Sequence, residues 1–551
     1  MGEYDHGNND DEALLAYAGR WIARLGGRIV GQGGTPRQAL MAAKAARYKE
    51  VPQVIYVPTK NPFQFSKLLT RIRSALPPEV PLYLVGGAVR DALLYQTTRD
   101  WDFSLPGDAL KVARGVANEL GASYFPLDEE RSTARVLFIG EDGMRHILDF
   151  AAFRGPDLED DLHARDFTIN ALAVDVRSPN TLLDPLGGAA DLRAGIIRAC
   201  STTTFDDDPL RIVRAIRFAA HFDFHIVPDT RFKMRAKVDK LTSVSTERIR
   251  DELFRILDGR QPATALRALD MIGALSYILP ELLQLKNLTQ SPPHVFDVWE
   301  HTLDTVNKLE SLLHVLGPNH DPEASANLTL GLVAFRLGRF RQKLSSHLST
   351  RPADDRSLRA LLFLGALYHD AGKPQTLELD DHGKIRYYNH AQEGLLLVAD
   401  RAKALHLSNN EIGRLKIIVG HHMRPLFMAQ KGKSPTRHSV YRFFRDVGDD
   451  GIEIGLLSLA DVLATYGPTL PQDKWAHQVD VVRGLYESFW ERYEEQVNPP
   501  KLITGDDLLK EFGLEPGPLV GELLDMVKEA QAVGTISSRE EALSLVRTNI
   551  D

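Results

Sequence analysis

Residues 84 to 103 read LVGGAVRDALLYQTTRDWDF. An apolar strand ending at Val85 turns through Gly86-Gly87, opens a helix carrying Arg90 and Asp91, and returns as an extended run holding Asp100 and Asp102. Residues two apart in a strand share a face, so the two carboxylates stand side by side while Trp101 and Phe103 face the core. Adjacent carboxylates repel unless a cation lies between them, and hard divalent cations favour oxygen ligands of this kind. Glycines ahead of a helix N-terminus present main-chain N–H groups to phosphate. This order of parts points to a site for a metal ion and a triphosphate.

A chain of 551 residues is too long for one core and implies several domains. Its 43% hydrophobic and 25% charged content is that of a globular protein. A single cysteine, Cys200, excludes an internal disulfide. The opening MGEYDHGNNDDEALL is acidic and carries no apolar signal core, and no apolar run is long enough to span a bilayer. A cytoplasmic location without membrane partners is the expectation. The net charge of -8 argues against a general nucleic-acid binder. Residues 211 to 250 nevertheless concentrate Arg211, Arg214, Arg217, Arg231, Lys233, Arg235, Lys237, Lys240, Arg248 and Arg250 in a candidate basic surface.

The chain divides on composition into five stretches. Residues 1–58 form a small accessory α/β module: a helical opening, Trp21-Ile-Ala-Arg-Leu, a turn at Gly26-Gly27, Arg28-Ile-Val, then Thr35-Pro36 capping an Ala-rich helix. Residues 61–200 alternate short apolar strands with helical runs, as an α+β head with a mixed sheet does. Residues 201–285 read as a helical neck, 290–470 as long helices rich in histidine, and 471–551 as a helical tail. In that tail, residues 502–531 read as two helices around a Gly-Pro turn.

Three further motifs extend the first one. In His146-Ile-Leu-Asp149-Phe150 a strand presents a third carboxylate, and two shared cations need ligands from more than one direction. Ala164-Arg165-Asp166-Phe-Thr-Ile-Asn170 follows. Then comes Asp206-Asp207-Asp208-Pro209-Leu210-Arg211-Ile-Val-Arg214, where Asp208 and Arg211 lie one helical turn apart and pair an acceptor with a forked donor. This series resembles the nucleotidyltransferases that include the CCA-adding enzymes and bacterial poly(A) polymerases, with Ala164 replacing the first arginine of RRDFTINA and Asp207 replacing the usual Glu. The resemblance implies a polymerase-beta-like head and Mg2+ held by catalytic Asp100 and Asp102 with Asp149 assisting. It also implies nucleotide contacts at Gly86, Gly87, Arg90, Asp91, Arg165, Asp166, Asn170, Asp208, Arg211 and Arg214. By the same resemblance Glu247 and Arg248 brace the neck.

The histidine-rich stretch carries His301, then His369-Asp370 ahead of Gly372-Lys373-Pro374, then His390, His421-His422 and Asp461. Imidazoles and carboxylates drawn from several helices suit a divalent metal with open positions for water. The order resembles the HD phosphohydrolases, in which His301, His369, Asp370 and Asp461 would hold Mg2+, Mn2+ or a transition metal. His390 with His421 or His422 would complete a second position. The function that follows from both resemblances is addition of CCA to the 3' end of tRNA from CTP and ATP, joined to a phosphohydrolase. Three alternatives stand beside it: poly(A) synthesis, addition restricted to CC or A, and a phosphohydrolase whose head only binds RNA. The sequence specifies no oligomeric state.

Overall fold

Alternation in β5, Asp100–Leu105, sets the architecture of the head: Trp101 and Phe103 are buried, while Asp100 is exposed and Asp102 half-buried. The computed structural model describes residues 20–25, 28–33, 36–45, 52–57, 67–140, 143–178, 181–319, 327–353, 356–430 and 434–550. The helical opening ahead of Trp21, the Gly26-Gly27 turn and the Thr35 cap lie outside these residues. The chain separates into two compact units, residues 1–240 and 241–551, and the division falls within the stretch 201–285.

In the first unit β1 (Arg20–Leu25), β2 (Arg28–Gly33) and β3 (Gln53–Val57) form an antiparallel sheet in the order β2-β1-β3. The helix Pro36–Ala45 buries Ala39 and Ala43 with Trp21 and Ala23. The head is a seven-stranded sheet of order β10-β9-β4-β5-β8-β7-β6. Its strands are β4 (Tyr83–Val85), β5, β6 (Ser123–Asp128), β7 (Thr133–Ile139), β8 (Arg145–Ala152), β9 (Ala173–Asp175) and β10 (Leu182–Leu183). β5 and β8 run parallel; the other neighbours are antiparallel, so the sheet is mixed. The parallel pair needs a crossover. The helix Ala109–Leu120 provides it, begun by the Asp108 carboxylate accepting Lys111 N–H and ended at Gly121 with φ 64°. This helix and Lys67–Ala75 bury Val112, Val116, Leu69 and Ile72 in one cluster with Leu84, Phe103, Leu148 and Phe150.

Among the described residues the second unit is helical apart from the two-stranded ribbon Leu377–Leu379 and Ile385–Tyr387. The helices Leu358–Tyr368 and Gly451–Tyr466 are apolar on nearly every side and lie buried at its centre. The tail holds Gly505–Phe512 and Pro518–Val533, as read from the sequence, and a further helix, Arg539–Ile550, that packs with them around Leu508, Leu523 and Val546. No described helix is long and apolar enough to cross a membrane. The fold is α+β: a head built on a mixed sheet followed by helical domains.

Phe103 stacks on Phe150 across the parallel pair, ring centroids 4.9 Å apart. Phe103→Ala is expected to cost the head about 3–5 kcal/mol, read as lost hydrogen-exchange protection in β5 and β8 with the helical unit unaffected.

Candidate functional site

Parallel pairing sets Asp102 directly opposite Asp149. The two residues are far apart in the chain but neighbours on one sheet face, with Asp100 two positions earlier on β5. Burial raises the Asp102 carboxyl above its ordinary range; the Arg165 guanidinium opposes this, and the charges of Asp149 and Asp100 add to it. Three mutually repelling carboxylates form a donor set that fits divalent cations. Arg135, opposite Asp149 in β7, grips that carboxylate with Nε and Nη2 at 2.8 Å each. Sequence reading missed Arg135, because strand alternation gives its face but not the partner strand.

Gly86 adopts φ 72° at the start of the helix Gly87–Leu93. A Cβ there would lie 2.9 Å from Arg165 Nη1 and 3.4 Å from Asp102 Oδ2, so glycine keeps open the space between guanidinium and carboxylate. Arg165 Nη2 donates to Ser104 Oγ and Asp161 Oδ2 at 3.2 Å, whereas its buried Nε has no hydrogen-bond partner among the described residues. A guanidinium beside an acidic cluster and a glycine turn is suited to a phosphate oxygen.

The other expected nucleotide contacts separate into those facing this space and those built into its walls. Arg90 is turned inward. Its guanidinium donates to Asp91 Oδ1 and to Asn170 Oδ1, and lies 5.3 Å and 4.8 Å from the ring centroids of Phe218 and Phe222. Asn170 donates to Asp166 Oδ1, and Asp166 Oδ2 accepts from Arg214 Nη2 at 2.8 Å. Burial alone would raise the Asp166 carboxyl, but Arg214, Asn170 and the Phe167 N–H bring it below its usual value. Arg211 donates to the carbonyls of Ala164, Arg165 and Thr204, and Asp208 Oδ1 accepts from Leu210 N–H. Arg90, Asn170, Asp166 and Arg214 therefore brace the neck helix Arg211–Phe222 against the head, and Arg211 anchors its first turn to the Arg165 segment. In the second unit Glu247 Oε1 lies 2.6 Å from His406 Nδ1, holding the helix Thr246–Leu257 to the turn at His406.

The second cluster is assembled from helix ends. His369 Nδ1 lies 2.7 Å from Ala366 O, His390 Nδ1 2.8 Å from Tyr387 O, and His422 Nδ1 2.7 Å from Val419 O. A main-chain acceptor at Nδ1 fixes the proton there and leaves Nε2 as a ligand. Nε2 of His369 is 3.2 Å from Asp370 Oδ2 and Nε2 of His390 is 3.5 Å from Asp370 Oδ1. His301 Nε2 lies 3.2 Å from Asp461 Oδ1 and 3.5 Å from Asp370 Oδ2. Ligand atoms fall into two groups, His301 with His369 and Asp370, and Asp370 with His390 and His422, so Asp370 is shared. Asp370 is held well below its ordinary value: burial opposes ionisation, but His369 and Lys373 outweigh it. Burial lowers His422 to about 3, keeping it neutral as a ligand must be. The donor set fits one or two divalent cations.

His421 does not share this centre. It is His422, next in the chain, that turns inward and is buried at 1% exposure; His421 is half-buried, with Arg424 and Asp446 as its charged neighbours. Successive helical residues point about 100° apart, and the buried position of the pair is decided by packing against His390. Gly372, after the His-Asp pair, has a structural cause: a Cβ there would lie 2.2 Å from His390 O and 2.6 Å from Gly394 N. Lys373, missed as a working residue, donates to Asp370 Oδ2 and Gln290 Oε1 at 2.6 Å each.

An acidic sheet site beside a glycine turn and, later in the chain, a histidine-aspartate centre define a nucleotidyltransferase with an HD domain. Comparison with known families agrees: the Poly A polymerase head domain matches residues 82–198, the HD domain 298–466 and a family of unknown function, DUF5678, residues 12–60. The chain is 34% identical over 485 residues to the A-adding tRNA nucleotidyltransferase of Deinococcus radiodurans, covering 87% of this chain and 98% of that one. It is 33% identical over 460 residues to the CC-adding tRNA nucleotidyltransferase of Geobacter sulfurreducens, covering 84% and 90%. Among solved structures it shares its fold with a CCA-adding enzyme in its apo form I, TM-score 0.55 and 23% identity over 88% of this chain and 93% of that one. The protein belongs to the tRNA nucleotidyltransferase family and is a nucleotidyltransferase.

Two outcomes follow from this geometry. Because the Asp102 carboxyl is raised, a proton competes with Mg2+ there at higher pH than at an ordinary carboxylate near pH 4. Mg2+ affinity measured by calorimetry should fall early as pH is lowered, and Arg135→Gln should move that fall to still higher pH. In the helical unit, His422→Ala should weaken metal binding about 100-fold or more, while His421→Ala leaves the metal content found by elemental analysis unchanged.

Proposed function

We propose that the protein adds nucleotides from CTP and ATP to the 3' end of tRNA, building the CCA terminus. The observation that carries this reading is the in-register meeting of Asp102 and Asp149 next to Gly86 and the guanidinium of Arg165. The oxygen of the terminal 3'-hydroxyl bonds to the α-phosphorus as its proton passes to solvent, the bond from the α-phosphorus to the oxygen bridging the β-phosphate breaks, and pyrophosphate leaves with that oxygen. Divalent cations, when bound, supply positive charge at the attacking and leaving oxygens. Asp100 and Asp102 hold them, and Asp149 completes the set with its orientation fixed by Arg135. Gly86 and Gly87 let the triphosphate approach the main chain, and Arg165 binds its oxygens. Asp208 and Arg211 select the base, Arg211 exchanging its contacts to the carbonyls of Ala164, Arg165 and Thr204 for the base edge, while Arg90, Asp166, Asn170 and Arg214 keep the neck helix in register with the head. Catalysis of this type works by positioning and charge neutralisation.

A second reading restricts addition to A or to CC, and the two relatives named above favour it. Both align over more than four-fifths of this chain, and one adds A whereas the other adds CC. Purified protein given tRNA lacking CCA, tRNA ending in C and tRNA ending in CC, with CTP and ATP singly and together, separates the readings. Completion of all three positions supports CCA addition; extension of one end only supports the restricted enzyme; long tails on generic RNA overturn both. For the helical unit we propose metal-dependent phosphoester hydrolysis at the cluster around Asp370. Asp100→Ala and Asp102→Ala should each reduce incorporation about 1,000-fold or more while phosphate release from p-nitrophenyl phosphate persists. His369→Ala should do the reverse.

A further inference from the structure

The cavity over the histidine-aspartate centre does not end at the ligands. It has a volume of about 390 Å³, and its walls include Asp370, Lys373, His390, Arg386, Tyr387 and Tyr466. A second cavity of about 670 Å³ shares Leu426, Gln430, Val462 and Tyr466 with the first, so the two adjoin. The second is completed by Ala429, Asp473, Lys474, His477 and Gln478. Each volume alone is within the roughly 300–1,000 Å³ that holds a small ligand.

The chemistry of the two compartments differs. The first surrounds its ligands with the cations Lys373, Lys384 and Arg386, a lining for phosphate and sugar. Beyond the ring of Tyr466, the second combines apolar Leu426, Ala429 and Val462 with hydrogen-bonding Asp473, His477 and Gln478. His477 lines this compartment, and its Nε2 is buried with no hydrogen-bond partner among the described residues. Lys474 fixes the partition: its Nζ lies 3.1 Å from the Tyr466 hydroxyl and 5.3 Å from the ring centroid. Flat apolar contact plus edge donors and acceptors is what a nucleobase requires, and a positioned aromatic ring supplies a stacking surface.

We propose that the helical unit recognises two linked nucleosides: a phosphate at the Asp370 cluster, the first nucleoside beside Lys384 and Tyr387, and the second past Tyr466 beside His477. The substrate is a dinucleotide unit, free or at the end of an RNA. In the hydrolysis, the oxygen of water bonds to phosphorus, the ester P–O bond breaks, and the leaving oxygen takes the proton. This inference rests on the phosphohydrolase reading given above for the same centre.

The test uses the full-length protein with p-nitrophenyl phosphate, AMP, the dinucleotides pApA and ApAp, and a short RNA with either terminal phosphate. One stacked base is worth enough that kcat/KM for the better dinucleotide should exceed that for AMP about tenfold or more. Ala429→Trp, which fills the second compartment, should bring that ratio close to one, and His477→Phe should lower it in the same direction. Calorimetry with a phosphorothioate pApA gives a readout independent of turnover: Ala429→Trp should weaken its binding about tenfold. Nucleotide sites in the head are common to both proteins and cancel in this comparison. RNA turned over as well as the dinucleotide identifies a chain end as the source, and RNA left intact identifies a free dinucleotide. Equal wild-type kcat/KM for AMP and dinucleotide, or phosphorothioate affinity unchanged by Ala429→Trp, overturns the proposal. Failure to release phosphate from p-nitrophenyl phosphate overturns the hydrolase reading instead, and the calorimetric comparison then decides the two-nucleoside site.

Discussion

The register between β5 and β8 places Asp102 against Asp149, and most of what surrounds the head site answers to that placement. Carboxylates brought this close repel, and burial of Asp102 adds to the cost of its charge. The apolar faces of the same strands maintain the contact, since Phe103 and Phe150 stack on the opposite side of the sheet. Arg135 and Arg165 then approach the acids from two sides, one on a neighbouring strand and the other held by Ser104 and Asp161. Hydrophobic packing thus supports an arrangement that its own electrostatics oppose.

A continuous run of hydrogen bonds from Asp91 through Arg90, Asn170 and Asp166 to Arg214 ties the first motif to the neck helix. Buried polar groups are costly unless satisfied, and here each is satisfied by the next. Motifs that resemblance assigns to substrate therefore also serve as scaffold. The loss of a charged member would disturb the angle between helix and sheet before it removed any contact with a nucleotide.

Much of this was legible in the residues. The alternation Asp100-Trp101-Asp102-Phe103 predicts which side chains enter the core, and the structure buries Trp101 and Phe103. The histidine-aspartate order predicts a metal centre, and its ligand atoms do converge. What was hidden depends on partners distant in the chain. Arg135 looks like any polar strand residue until β7 is paired with β8. That Arg90 packs on Phe218 and Phe222 is likewise invisible until the neck helix is placed against the first motif. Within His421-His422 only three-dimensional packing decides which imidazole faces in, because a one-residue step on a helix changes direction without changing composition.

The tethering of imidazoles to carbonyls three residues earlier has a consequence for how the helical unit can change over time. His369 and His422 take their aim from the ends of the helices Leu358–Tyr368 and Asn409–His421, and Asp370 receives both. Adding or deleting one residue inside either helix would swing its imidazole by about 100°, whereas side-chain replacements elsewhere leave the aim intact. Helix length here behaves as a ruler: drift in surface composition is tolerated, while insertions within these two segments are not.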